Sequence, residues 1–320
     1  MDRRSFLQGL MTPLIAAGAA SGASAMTSAR SLGQPASYAP PGDASTPIKW
    51  ADVSRVVHTG FSELDWCLGE LRDGMPVAIA GRPAMGKTSL ALSIAAHVAV
   101  RLRRPVAIFG APLSEQEIRA RMVAFLARVD LWWDQWRLKS LPAGPARLAM
   151  QALASAPLLI DDRPFLSTED LASKVMWNNV QAGLRNGLTV ILAPELIQVA
   201  GKWRRHLPKG AALIEALRDL GETYGGAVLC ELPLGRAAEE RDNHWPLLTD
   251  LEGISREFAR DADAVLLLYR PVIYDLNAEP EAASVIVARN RSGRCGGTSL
   301  AFEYNGGFAN YRWPVGGRSL

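Results

Sequence analysis

The stretch "VAIAGRPAMGKTSLALSI" at residues 77–94 constrains the fold of this chain more than any other. An apolar run leads into a loop that fits the pattern G-x-x-x-x-G-K-[ST], and an alanine- and leucine-rich helical pattern follows. In such a strand–loop–helix unit, glycines let backbone N–H groups turn toward phosphate oxygens, and the helix N-terminus adds a positive dipole. The pattern predicts a loop that holds a nucleoside triphosphate. An ordinary turn with a surface lysine is the alternative interpretation.

Two side chains of this loop have predicted contacts of their own. Lys87 is expected to reach the β- and γ-phosphates, and the Thr88 hydroxyl is expected to hold Mg²⁺. ATP and Mg²⁺ are therefore the predicted cofactors. The predicted nucleotide-binding residues are Gly81, Arg82, Pro83, Ala84, Met85, Gly86, Lys87, Thr88 and Ser89.

Short apolar runs alternate with helical patterns from about residue 48 to the end of the chain. Most of these runs are continuously apolar, which is typical of parallel strands buried on both faces. The pattern predicts an α/β fold of the P-loop type, with a central, mostly parallel sheet flanked by helices. The predicted strands are 77–80, 106–110, 158–161, 189–193, 227–232, 264–269 and 284–288.

The residues before this α/β region form two further segments. Residues 1–25 have paired arginines, an alanine-rich apolar stretch and a small-x-small site, like a twin-arginine export signal too short for a stable membrane anchor. Translation from Met26 would remove this segment. Residues 26–47 are rich in proline, glycine and serine and predict a linker, which leaves 48–320 as the folded domain.

The cysteines and the net charge give expectations about the cellular compartment of the protein and about its contact with nucleic acid. The three cysteines are far apart and form no CxxC pair, which favours a reducing compartment and a cytoplasmic location, with export as the alternative. The formal net charge is +3, so contact with nucleic acid would depend on a local basic patch.

The region around the loop resembles the RecA-like ATPase domain of DnaB-type replicative DNA helicases. A Gly-Phe-x-x-Leu-Asp lead-in precedes a Gly-Arg-Pro-x-Met-Gly-Lys-Thr loop in that family, as in "TGFSELDWCLGELRDGMPVAIAGRPAMGKTSLAL" here. The similarity covers roughly residues 55–312. Further similar stretches are "LARVD" (126–130), "PLLIDDRPFLSTEDL" (157–171), "DADAVLLLYR" (261–270) and "VIVARNRSGRCGGTSLAF" (285–302).

The resemblance implies an ATP-dependent helicase domain that forms a homo-oligomeric ring around single-stranded DNA, in replication or a related DNA transaction. The family has a separate N-terminal helical domain that recruits the primase. The leader and linker occupy its place here, so we expect no such domain, and primase contact is in doubt.

The general base of the family is not found at its usual position in this chain. The strand after the loop helix normally ends in a glutamate that activates water, and in "AIFGAPLSEQE" that position is Pro112. Glu115 and Glu117 follow closely. Ser114 and Glu117 fit a capping box, which we favour over a displaced base.

Two other polar positions of the family are altered. The aspartate that normally ends the next motif strand and orients Mg²⁺ is replaced, in our interpretation, by Glu195, which follows Pro194. A serine–glutamine pair that senses the nucleotide corresponds to Cys230 and Glu231. Glu231 is then the best substitute general base, and Thr88 with Glu195 is the predicted metal pair.

The altered base position favours slow hydrolysis. Loss of a general base costs about 10²- to 10⁴-fold in rate. Against a typical turnover of about 1–100 s⁻¹, one cycle would last about seconds to hours. A translocating motor needs faster cycles. A non-catalytic nucleotide-binding regulator derived from a helicase is therefore the alternative function.

Basic residues occur in two places where the family uses them. Arg289 and Arg291 match the pair that the family inserts into the neighbouring subunit's site, and a solvated basic turn is the alternative. The segment "GKWRRHLPKG" predicts a single-stranded DNA site, with an exposed basic loop as the alternative. Its predicted contacts are Lys202, Trp203, Arg204, Arg205 and Lys209.

Two other groups of residues are interpreted as structural. Asp161 and Asp162 end an apolar strand, as metal-orienting aspartates do, but the order of the family's motifs places them before the metal strand. Trp132, Trp133 and Trp136 have helical spacing and are expected to pack one helix against the core.

Overall fold

A computed structural model describes residues 56–110, 112–129, 144–200, 207–291, 297–305 and 310–312. The strands are β1 (Val56–Val57), β2 (Leu71–Arg72), β3 (Pro76–Gly81), β4 (Val106–Phe109), β5 (Leu158–Asp161), β6 (Leu188–Ile191), β7 (Ala227–Pro233), β8 (Ala264–Tyr269), β9 (Ala282–Asn290), β10 (Thr298–Asn305) and β11 (Asn310–Arg312). The α-helices are α1 (Ser62–Leu68), α2 (Lys87–Ala96), α3 (Glu115–Ala127), α4 (Pro145–Ala154), α5 (Thr168–Ala182), α6 (Lys209–Tyr224) and α7 (Gly253–Asp261).

Nine of these strands form one sheet in the order β11-β10-β9-β8-β3-β7-β6-β4-β5. The neighbours from β8 to β5 are all parallel, whereas β9, β10 and β11 are added antiparallel. The carboxyl ends of the parallel strands therefore lie along one edge of the sheet. Ligands bind at this edge in open α/β sheets.

Helices bury both faces of the sheet, which explains the continuously apolar strands. Side chains of α1 to α4 cover one face, for example Leu90 and Ile118. Side chains of α5, α6 and α7 cover the other face, for example Leu171, Leu213 and Phe258. The predicted α/β fold with a mostly parallel sheet and flanking helices is confirmed.

All seven predicted strands form, with small differences at their ends. The strand predicted at 284–288 is longer, and it runs antiparallel to β8. The strands β10 and β11, which the sequence pattern did not predict, extend the sheet beyond β9. The residues of the leader, the linker and the three-tryptophan group lie outside the described part of the chain. No helix in the described ranges is long and apolar enough to cross a membrane.

Candidate nucleotide-binding site

The loop between β3 and α2 has the conformation of a phosphate cradle. Ala84 and Gly86 have φ of 65° and 88°, so the chain turns back before α2 begins at Lys87. A Cβ at Gly81 would lie 3.2 Å from the Met85 Cβ and 3.4 Å from the Leu268 Cβ, so the backbone packs tightly there. Such a turn presents backbone N–H groups and a helix N-terminus to an anion.

The Lys87 side chain folds back over this loop. Its Nζ donates hydrogen bonds to the carbonyl oxygens of Gly81, at 2.9 Å, and Arg82, at 3.3 Å. Burial lowers the pKa of the Lys87 ammonium, and the nearby Glu231 opposes that shift. A phosphate oxygen would offer this desolvated cation a stronger acceptor than the two neutral carbonyls.

A cavity of about 270 Å³ opens beside the loop at the carboxyl edge of the sheet. It brings together side chains from the start of α2, from α3 and the turn before it, and from the chain at the ends of β6 and β7. The lining residues are Lys87, Thr88, Pro112, Leu113, Arg121, Leu192, Glu195, Glu231 and Pro233.

Glu231 is a buried carboxyl group at this cavity, with a relative exposure of 6%. Its Oε2 accepts a hydrogen bond of 3.0 Å from the Thr88 hydroxyl. Its Oε1 is buried and has no hydrogen-bond partner among the described residues. Burial raises the pKa of Glu231 to about 7, although the Thr88 hydrogen bond and the Lys87 charge favour the ionised form.

Glu195 reaches the cavity from a different type of element. We expected it near the end of a strand, but β6 stops at Ile191, and Glu195 lies in a 3₁₀ turn at Pro194–Leu196. Its side chain is exposed and lines the cavity. Its backbone oxygen accepts a 2.7 Å hydrogen bond from Nζ of Lys209, which is the one of the five predicted DNA contacts that the structure describes. Lys202, Trp203, Arg204 and Arg205 lie outside the described residues.

Pro112, which the sequence pattern aligns with the family's glutamate, lines the cavity. The nearby carboxylates have structural partners. Ser114 and Glu117 form the predicted capping box, with Glu117 N–H donating to Ser114 Oγ at 3.3 Å and Ser114 N–H to Glu117 Oε2 at 2.9 Å. Glu115 pairs with Arg119 at 2.7 Å. The capping interpretation is confirmed, and neither glutamate lines the cavity.

Leu192 is a cavity residue that sequence reasoning missed. It directly follows the last residue of β6 and is buried. Ile191 pairs with Cys230 on β7, so the next position in this register sets Leu192 beside Glu231. In the sequence Leu192 lies inside the apolar stretch "LTVILAP", so no local signal marks it as the residue that follows the strand.

Two arginines also tie the loop to neighbouring segments. Arg82 forms an ion pair of 2.6 Å with Glu239 and donates to the Leu234 backbone oxygen at 2.8 Å. Arg270, directly after β8, donates to the Ala84 oxygen at 3.0 Å. These contacts link the loop to chain far away in sequence, which explains why local patterns did not reveal them.

Arg289 and Arg291 lie near the other end of the parallel strands from the loop. Arg289 pairs with Val265 near the start of β8 and donates to the Ala259 backbone oxygen of α7 at 3.1 Å. Arg291 lies 3.5 Å from Asp263. Within one chain these guanidinium groups are therefore remote from the loop.

Asp161 has structural partners, in agreement with our interpretation. Its carboxylate lies 2.6 Å from Lys174 Nζ and 3.0 Å from Arg163. Burial favours the neutral acid, but the hydrogen bonds from both cations outweigh it and lower the pKa of Asp161 to about 2. Asp162 accepts a 2.9 Å hydrogen bond from the Glu115 N–H at the start of α3.

The donor set of the cavity fits a magnesium–triphosphate complex. The loop offers backbone N–H groups and Lys87 for phosphate oxygens, and Thr88 offers a hydroxyl for a hard cation. The buried Oε1 of Glu231 has a free acceptor site among the described residues. No cluster of three or more His, Cys, Asp or Glu side chains occurs in the described ranges, so any Mg²⁺ would depend on phosphate oxygens and water for most of its ligands.

Comparisons with known proteins agree with this geometry. The pattern of the DnaB-like helicase C terminal domain matches residues 56–310, and the chain belongs to that family. It is 31% identical over 254 residues to the "Replicative DNA helicase DnaB" of Geobacillus stearothermophilus, covering 78% of this chain and 55% of the relative. It is 29% identical over 261 residues to the "Replicative DNA helicase DnaC" of Bacillus subtilis, covering 78% and 55%. The chain thus matches about half the length of these relatives.

Solved structures support the fold. The "ATPase Domain of G40P" superposes with a TM-score of 0.71 at 23% identity, over 81% of this chain and 91% of that one. A DnaB-like replicative helicase, described with its interactions with primase, has a TM-score of 0.71 at 22% identity, over 83% and 64%.

Proposed function

We propose that this chain is a helicase-type ATPase domain that binds ATP and Mg²⁺ firmly, hydrolyses ATP slowly and acts on single-stranded DNA in a homo-oligomeric ring. The observation that carries the proposal is the composition of one cavity. A complete phosphate loop with Lys87 and Thr88 faces Pro112, at the position of the general base. Binding depends on the loop, whereas rapid turnover also depends on the base.

Bound ATP and Mg²⁺ supply the triphosphate and the charge that stabilises its cleavage. The loop backbone and Lys87 would hold the phosphates, and Thr88 would hold the cation. The cavity offers two carboxylates, Glu195 and Glu231, for the remaining polar roles.

A ring is supported by the position of the basic pair. Because Arg289 and Arg291 are remote from the loop of their own chain, they would act on a nucleotide only across an interface between subunits. An arginine supplied in this way accelerates phosphoryl transfer by about 10³- to 10⁵-fold. In an isolated subunit the pair would have no such target.

Action on single-stranded DNA is supported by the basic segment before α6 and by the names of the relatives. Cations of residues 202–209 would contact phosphates, and Trp203 would stack on a base. We propose a role in replication or a related DNA transaction, in the cytoplasm, because the relatives are described as replicative DNA helicases.

A second candidate function is a non-catalytic nucleotide-binding regulator or assembly module. The apolar side chains of Pro112 and Leu192 at the cavity favour it, because neither can activate water. ATP would then control assembly without being consumed.

Titration with a fluorescent ATP analogue, followed by phosphate release with and without single-stranded DNA, tests the proposal. We expect binding in wild type and about 10- to 100-fold weaker binding in Lys87→Ala, because a charge-assisted hydrogen bond contributes about 1.5–3 kcal/mol. Arg72→Ala removes an exposed cation away from the cavity and is the matched control. Measurable DNA-stimulated hydrolysis supports the ATPase, and binding with no hydrolysis selects the regulator. Equal affinities in wild type and Lys87→Ala would refute both.

A further inference from the structure

The contact between Glu231 and Thr88 lies on the cation side of the predicted site. The Thr88 hydroxyl is the group expected to bind Mg²⁺, and among the described residues it donates a hydrogen bond of 3.0 Å to the carboxylate of Glu231. In this class of site, a carboxylate at the end of a neighbouring strand holds the cation together with that hydroxyl. Glu231 makes the contact that such a carboxylate makes.

The strand that normally carries this carboxylate ends in an apolar residue here. Leu192 directly follows β6 and lines the cavity, and in the β6–β7 register it falls beside Glu231. A leucine side chain cannot bind a cation or its water ligands. At this edge of the sheet the carboxylate beside Thr88 is therefore on β7, whereas the residue that follows β6 is apolar.

Glu195 is poorly suited to replace it. Its carboxylate belongs to a 3₁₀ turn beyond the strand and is exposed, and in the described part of the chain the Thr88 hydroxyl bonds Glu231 instead. Glu231, in contrast, is buried at the carboxyl end of the central strand β7. One of its carboxylate oxygens accepts a hydrogen bond from Thr88, and the other has no hydrogen-bond partner among the described residues. A buried carboxylate oxygen without a partner is costly unless a ligand satisfies it.

We propose that Glu231 on β7, rather than Glu195, is the carboxylate that holds Mg²⁺ together with Thr88, directly or through a water ligand. The proposal rests on the proposed binding of ATP and Mg²⁺. It moves the metal-binding role that the sequence pattern gave to Glu195 onto Glu231, and it leaves Glu195 without an assigned role. Since Glu231 is then committed to the cation, the described part of the cavity has no buried carboxylate left to serve as general base, in agreement with slow hydrolysis.

The test measures how strongly Mg²⁺ tightens binding of a fluorescent ATP analogue, with no need for turnover. The wild-type affinity is compared in Mg²⁺ and in EDTA. We expect Glu231→Gln to reduce the magnesium-dependent gain by about 10- to 100-fold, the usual effect of losing a group that supports a metal site. Affinity in EDTA should change little. Glu195→Gln removes the same charge from the same cavity and should keep the gain.

A relocation variant gives a second test. Leu192→Asp in the Glu231→Gln background returns a carboxylate to the end of β6 and should restore part of the gain. With Mn²⁺ in place of Mg²⁺, the electron paramagnetic resonance signal of the bound ion in the ATP complex should follow the same order among the variants. Circular dichroism and thermal unfolding establish that each variant is folded, and Glu231→Gln alone suffices if Leu192→Asp does not fold.

The outcomes separate this inference from the proposed function. Suppose that Mg²⁺ tightens ATP binding by wild type, and that this gain in affinity is kept in Glu231→Gln but lost in Glu195→Gln. This result would overturn the inference about Glu231 and leave the proposed function standing. A gain kept in both variants also overturns it, because no carboxylate would then be needed. If wild type binds no nucleotide, both the inference and the proposed function are wrong.

Discussion

Replacement of Pro112 by glutamate should return a general base to the cavity. Pro112 lines the cavity together with Thr88 and Glu231. The Leu113 N–H bonds the Gly110 oxygen at 2.7 Å, so the turn that contains Pro112 is closed by its neighbours and does not need the proline ring. A glutamate here would lie before the Ser114 cap of α3 and leave that helix intact.

The size of the effect follows from the missing base. A positioned general base accelerates a reaction by about 10²- to 10⁴-fold, which corresponds to about 3–5 kcal/mol of activation free energy. We therefore expect Pro112→Glu to raise the rate of phosphate release at saturating ATP and Mg²⁺ by at least about 10²-fold. The affinity for ATP should change little, because the loop is untouched.

Pro112→Gln is the matched control, since glutamine has nearly the shape of glutamate but cannot accept a proton. Phosphate release is measured for wild type and both variants at the same nucleotide occupancy. The reasoning is refuted if Pro112→Glu and Pro112→Gln hydrolyse ATP at the same rate while both bind it. It is also refuted if wild type already turns over at the rate of a motor.

Three further predictions concern stability. Asp161 has a pKa of about 2 in the folded chain, below its ordinary value of 3.8, so it stabilises the fold above about pH 4, and this contribution of about 2 kcal/mol is lost as the pH falls toward 2. Chemical denaturation of Asp161→Asn against wild type should show a difference that disappears over that range, and a pH-independent difference would contradict the pairing. Phe165 has φ of 60°, a conformation that glycine adopts at lower cost, and its side chain is largely exposed. Phe165→Gly should therefore raise the free energy of unfolding by about 0.5–1 kcal/mol. A loss of stability would mean that the Phe165 ring makes a stabilising contact. Ser114→Ala should cost about 1 kcal/mol in thermal unfolding by removing the cap of α3, while Ser62→Ala, at an exposed serine with no capping hydrogen bond, should cost little.

The sheet and the phosphate loop were predictable because both are local patterns. Continuous apolar runs predict buried parallel strands, and glycine spacing before Lys87 predicts the cradle. The capping box at Ser114 and Glu117 was predictable for the same reason, since all its atoms lie within one helical turn. The additional strands β10 and β11 were missed, because their pattern of alternating and polar residues is weaker.

The distribution of polar groups in the cavity was not predictable, because it depends on strand register. Leu192 and Glu231 are far apart in sequence, and only the pairing of β6 with β7 sets them side by side. The hydrogen bond from Thr88 to Glu231 and the ion pair from Arg82 to Glu239 likewise join residues 143 and 157 positions apart. The order of the motifs pointed to Glu195 because it is the first carboxylate after the apolar run of β6. In the structure Glu195 lies in a 3₁₀ turn beyond the strand, and Leu192 is the residue that directly follows β6.

The lifetime of bound ATP in a single turnover tests the central claim most directly. Excess protein is mixed with radiolabelled ATP, Mg²⁺ and single-stranded DNA, and intact ATP is quantified over time after binding is complete. The account predicts that bound ATP persists for about seconds to hours, as expected when a turnover of about 1–100 s⁻¹ loses 10²- to 10⁴-fold. Cleavage of bound ATP within tens of milliseconds, or no bound ATP at all, would contradict it.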